Sequence, residues 1–135
     1  MTLAQRALER LEAWPDLTAG QASCGTGRAV RSPYSEIAHF HTDHDVDLHL
    51  TDRAIRRFAH DLRDTTAVRL LPGSRWVTVH LDCDTDVDLL LSLVSMALQV
   101  HQAKPPSVPP ALDACNFHRV TVLRRDPAGL APPRI

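Results

Sequence analysis

The chain has 135 residues, 44% of them apolar and 23% charged, and 15 basic against 16 acidic side chains leave a formal charge of −1. One domain of this length buries a core without disulfide or metal staples, and the balanced charge gives no reason to expect nucleic acid or an anionic membrane as partner. No signal-peptide pattern opens the chain, and the longest apolar stretch, 87–100, is too short for a membrane span and is broken by Asp88, Ser92, Ser95 and Gln99, so the expected location is the cytoplasm.

In chain order, the first element is an amphipathic helix from an N-cap at Thr2 to about Ala13, with Leu3, Ala7, Leu8 and Leu11 on one face. Trp14-Pro15 ends it. Thr18 to Gly27 reads as a small-residue loop. The period then changes to two. Strands are expected at 28–31, 36–41 and 45–50, the last two forming a hairpin around Thr42-Asp43-His44. Thr51 or Asp52 caps a helix to about Arg63 with Ile55, Phe58, Ala59 and Leu62 as its buried stripe. A second hairpin, 67–71 with 75–82, turns at Pro72-Gly73-Ser74. A long helix runs from Asp84 or Thr85 to about His101 and is apolar around most of its circumference. The prolines at 105–110 break regular structure, a short strand is expected at 119–123, and 126–135 is a flexible Pro-rich tail to a single domain spanning 1–125.

This order, α-β-β-β-α-β-β-α, predicts an α+β fold: an antiparallel sheet of about five strands with helices packed on one face.

Four of the eight histidines, His39, His41, His44 and His49, fall in the first hairpin with Asp43, Asp45 and Asp47. Alternation puts Ala38 and Phe40 on one side of the first strand and His39 and His41 on the other. A three-residue turn pairs His39 with Asp47 and His41 with Asp45, which collects His39, His41, Asp45, Asp47 and His49 on one polar face and the apolar residues on the other. Cross-strand neighbours lie about 5 Å apart, within reach of a His39–Asp47 hydrogen bond. A carboxylate there fixes the imidazole tautomer, as in a general base, a proton shuttle or a metal-ligating histidine. A plain solvated hairpin face is the competing reading. Trp76 is placed to line a pocket beside the histidines.

Metal sets are incomplete in the sequence. His39-x-His41 resembles the cupin His-x-His pair without its following glutamate, and His41, Asp43 and His80 match a two-histidine, one-carboxylate set only loosely, because Asp43 sits in the turn. Cys115-x-x-His118 with Cys24 and Cys83 contains one close ligand pair where structural zinc sites usually have two. No metal and no cofactor are therefore expected.

The segments Glu36-Ile37-Ala38-His39-Phe40-His41, Asp47-Leu48-His49-Leu50-Thr51 and Arg75-Trp76-Val77-Thr78-Val79 resemble a family of small bacterial luciferase-domain proteins, distantly similar to fungal luciferases. A bacterial origin also fits the single lysine, Lys104, among many arginines. The resemblance implies an oxygenase-like protein working without flavin or metal. Glu36, His39, His41 and Asp47 would be its catalytic group, and His49, Trp76 and His80 its substrate contacts. A histidine base would then deprotonate a phenolic or enolic small molecule. The alternative is a non-enzymatic interaction module that forms a homodimer through the Leu-rich helix 85–101.

Overall fold

The computed structural model describes residues 2–33, 35–103, 115 and 116. Its elements are α1 (Leu3–Glu12), β1 (Thr18–Gln21), β2 (Arg28–Arg31), β3 (Glu36–Phe40), β4 (Asp45–His49), α2 (Asp52–Arg57), α3 (Ala59–Arg63), β5 (Val68–Leu70), β6 (Trp76–His80) and α4 (Asp84–Ala103). The strands form one antiparallel sheet in the order β1-β2-β3-β4-β6-β5. The α+β class is as expected, with six strands rather than about five. The additional strand is β1, whose Thr-Ala-Gly-Gln sequence shows no apolar alternation and which pairs with β2 as a sheet edge. The expected strand at 119–123, the proline break at 105–110 and the tail lie outside the described residues.

Local chemistry explains the element ends. Thr2 accepts from the Gln5 amide while the Gln5 side chain accepts from the Thr2 amide, a reciprocal cap that satisfies two orphan donors of α1. Thr51 Oγ1 accepts from the Ala54 amide at 3.3 Å to start α2. The helix expected over 51–63 is divided at Phe58, whose φ of −105° and ψ of 15° leave the α region. Asp86 Oδ2 accepts from the amides of Asp82 and Cys83 just before α4, where the first-turn carboxylates Asp84 and Asp86 complement the helix dipole.

The core lies between one sheet face and the helices. Val30, Ala38, Val46, Leu48, Val77 and Val79 project from the sheet toward Ala7 and Leu11 of α1 and Val87, Leu90, Val94 and Ala97 of α4, all buried. The outward line of α4 is polar: Asp88, Ser92, Ser95 and Gln99 are exposed. Its apolar residues are thus largely taken up by its own sheet and α1. Among the described residues no helix is long and apolar enough to cross a membrane.

The β3–β4 register places His39 opposite Asp47 and Phe40 opposite Val46, as the alternation predicts. Between β2 and β3 the ladder shifts: Val30 pairs with Ala38 but Arg31 with Glu36, so Ile37 is an extra residue. Such a bulge re-aims the side chains around it. Regular alternation would send Glu36 to the Ala38 side; the bulge brings it to His39 instead, where the two side chains bond.

Leu48 is fully enclosed. Leu48→Ala should therefore cost about 2–5 kcal/mol in urea unfolding, as core cavities do, whereas Ser92→Ala on the exposed line of α4 should stay within about 0.5 kcal/mol. Equal effects would contradict this core.

Candidate metal centre

The polar face of the sheet is covered. The loop 22–27 crosses over β3, Cys115 lies against His41 just beyond β3, and Asn116 lies against β6. Exposure falls to 2% for His39, 2% for Asp47, 6% for His49 and 3% for Trp76. His39, His41 and His49 therefore occupy an enclosed polar layer rather than a solvated hairpin face, while His44 in the turn is exposed.

Two features seat the loop. Gly27 has φ +81°, and a Cβ there would collide with the carbonyl oxygen of Phe40, so only glycine lets the chain lie this close to β3. Glu36 then holds the loop from below: its Oε1 accepts from the Ser23 amide at 3.2 Å and the Ser23 hydroxyl at 3.0 Å. The same oxygen accepts from Nε2 of His39. One carboxylate thereby positions both a histidine and the residue next to Cys24.

Four ligand-type atoms meet above the sheet. Sγ of Cys24 lies 3.6 Å from Nδ1 of His39 and 3.3 Å from Nε2 of His41, and Sγ of Cys115 lies 3.6 Å from Nε2 of His41. All four lie within 4.8 Å of one another. A tetrahedral ion with bonds of about 2.3 Å to sulfur and 2.0–2.1 Å to nitrogen requires ligand atoms about 3.3–3.8 Å apart. These three sulfur–nitrogen separations match those edges.

The protonation pattern agrees with lone pairs pointing inward. Burial raises the Glu36 carboxyl, but hydrogen bonds from the Ser23 amide, His39 and the Ser23 hydroxyl outweigh it, and its pKa is lowered overall. Burial lowers the His39 pKa despite Glu36. Burial, with the neighbouring His39 charge, pushes His41 down to about 4, against the pull of Asp45. At neutral pH both rings are neutral and Glu36 is ionised. An ionised carboxylate only accepts, so His39 donates Nε2–H to Glu36 and keeps the Nδ1 lone pair toward the thiols. His41 turns Nδ1 to Asp47 Oδ2 at 3.5 Å and Nε2 to the thiols.

A further layer holds Asp47. Thr78 donates to its Oδ1 at 2.7 Å, and Asn116 Nδ2 donates to Thr78 Oγ1 at 3.1 Å and to the Trp76 carbonyl at 3.0 Å. Ser74 donates to Asn116 Oδ1. These bonds fix Asn116, and with it the adjacent Cys115.

The structure thus gathers Glu36, His39, His41 and Asp47. His49 stacks on Trp76 at 4.7 Å and 10°, and His39 approaches the same indole at 4.6 Å. Among the described residues the buried Trp76 Nε1 has no hydrogen-bond partner. Three expectations need correction. His39 bonds Glu36 rather than Asp47, because of the bulge; Asp47 faces His41 rather than His39; and Asp45 pairs with His80 at 2.7 Å rather than with His41, which lies just beyond β3. His80 is not brought to the cluster: it sits at the far end of the face between Asp45 and Asp82. Cys83 is exposed and its thiol faces Asp86; His118 lies outside the described residues. Of the three ligand sets in the sequence, the His39-x-His41 pair and the cysteine set each supply half of the cluster, the latter through Cys24 and Cys115. Cys24 is 15 residues before His39 and Cys115 is 74 after His41, separations that only the tertiary fold closes.

The fold and site define an α+β domain whose antiparallel sheet carries helices on one face and an enclosed Cys/His/carboxylate cluster on the other. The family model of the luciferase domain matches residues 34–97, and over that span the chain is similar to the luciferase domain. No curated protein and no solved structure matches the chain. The matched span includes both histidines and both carboxylates of the cluster, while Cys24 and Cys115 lie outside it.

His80 offers a pH test at the open end of the face. Its hydrogen bond to Asp45 raises its pKa, against the opposing effect of burial, with Asp82 adding to the rise. The stabilisation is complete below the ordinary imidazole value and is lost as pH rises through the raised one. NMR titration should put the His80 midpoint above the ordinary value and Asp45→Asn should lower it; an unchanged midpoint in the variant would contradict the pairing.

Proposed function

We propose that this is a small-molecule-binding luciferase-domain protein organised around a zinc-class divalent ion held by Cys24 Sγ, His39 Nδ1, His41 Nε2 and Cys115 Sγ. The observation that carries the reading is the convergence of these four atoms, each histidine facing a carboxylate through its other nitrogen. Thiolate and imidazole together suit zinc better than hard cations such as magnesium or calcium. Carboxylate partners of ligating histidines fix the tautomer and raise ligand basicity. Glu36 and Asp47 then serve as positioning residues, and His39 and His41 as ligands. The small-molecule part rests on the family match and on the buried Trp76 N–H, a donor beside His39 that finds no acceptor among the described residues. A phenolic or enolic oxygen is an acceptor of the right kind.

A second reading is favoured by the Glu36–His39 bond. Without metal, the Nδ1 lone pair of His39 is oriented to take a proton from such an oxygen, and the chemistry is proton transfer.

Elemental analysis of untagged protein separates the two. The metal reading expects one zinc per chain, lost in Cys24→Ser and His41→Ala. Glu36→Gln and Asp47→Asn should weaken affinity about 10- to 100-fold, as loss of a ligand's carboxylate partner does. A chain that neither carries zinc nor takes it up, together with a phenol-binding site abolished by His39→Ala, would establish the proton-transfer reading instead.

A further inference from the structure

We infer that Cys24 and Cys115 form an oxidisable pair whose disulfide ejects the metal, so that the centre is a peroxide-responsive modification site as well as a metal site. This rests on the metal reading above. The two thiols are not disulfide-bonded, and their sulfurs lie within 4.8 Å. A disulfide needs about 2.05 Å, so closure requires less than about 3 Å of relative movement. The two cysteines also differ in access: Cys24 is partly exposed at the loop surface, while Cys115 is 1% exposed. A hydroperoxide therefore meets Cys24 first, and Cys115 waits behind it as the resolving thiol. The loop that carries Cys24 is anchored on both sides, by Ser23 to Glu36 and by Gly27 against β3.

The chemistry balances with hydrogen peroxide as oxidant. The Cys24 thiolate attacks the O–O bond, forming the sulfenic acid and releasing hydroxide. The Cys115 thiolate then attacks the Cys24 sulfur, forming the S–S bond and releasing a second hydroxide. Two electrons pass from the two sulfurs to the peroxide, and two solvent protons convert the hydroxides to water. The ion loses both anionic ligands at once and keeps two neutral imidazoles, a set too weak to hold it against a chelator. Cys83 does not take part: it is exposed, and its thiol faces Asp86 outside the cluster.

The test uses the full chain with Cys83→Ser, loaded with zinc and freed of reductant. Equimolar hydrogen peroxide should release one zinc per chain to a chromogenic chelator. The intact mass should fall by two hydrogens, with Cys24 and Cys115 peptides linked in a non-reducing digest. Reductant followed by zinc should restore the starting state. Zinc that stays bound, or zinc lost while both thiols remain open to alkylation or end as sulfinic acids without a cross-link, would overturn the inference and leave the metal reading intact. A chain that never takes up zinc would instead overturn the metal reading and the release with it.

Discussion

The register of the β3–β4 hairpin is the constraint on which the site depends. Because side chains alternate, a one-residue slip would exchange the faces of each strand. Val46 and Leu48 would then leave the core, and Asp47 would face α4. The observed pairing of His39 with Asp47 and Ala38 with Leu48 keeps the apolar set against the helices and the titratable set on the other side. The hydrophobic core thus specifies the chemistry of the opposite face without touching it.

The second determinant is the bulge at Ile37. It turns Glu36 onto the polar face, where the carboxylate is buried beside His39 and the loop. A buried carboxylate is costly unless its lone pairs are used. Here the Ser23 amide and hydroxyl and the His39 ring supply donors, and these same bonds locate Cys24. Asp47 plays the matching part for the second half: Thr78 and Asn116 connect it to the segment that delivers Cys115. Each carboxylate therefore serves one histidine and is linked to the segment of one cysteine, which makes the cluster a pair of similar halves drawn from distant parts of the chain.

Much of this was legible in the sequence, for identifiable reasons. The period-two pattern over 36–50 determined the hairpin and its polar face, and the Thr2 cap and the α4 pattern marked helices at both ends of the described fold. Strand β1 was not legible, since Thr-Ala-Gly-Gln lacks alternation and its pairing with β2 is tertiary. The partner of His39 does not follow from the sequence pattern, because strict alternation has no place for a bulge. Nothing in the sequence joins the cysteines to the histidines: spacing rules recognise ligands in close pairs, and here only His39 and His41 are close in sequence, with Cys24 and Cys115 arriving from opposite sides of the matched span.

X-ray absorption at the zinc edge on the zinc-loaded chain tests the central claim most directly. Two sulfur neighbours at about 2.3 Å and two nitrogen neighbours at about 2.0–2.1 Å are expected. A shell of nitrogen and oxygen alone, or one unchanged when Cys24 is replaced by serine, would contradict it.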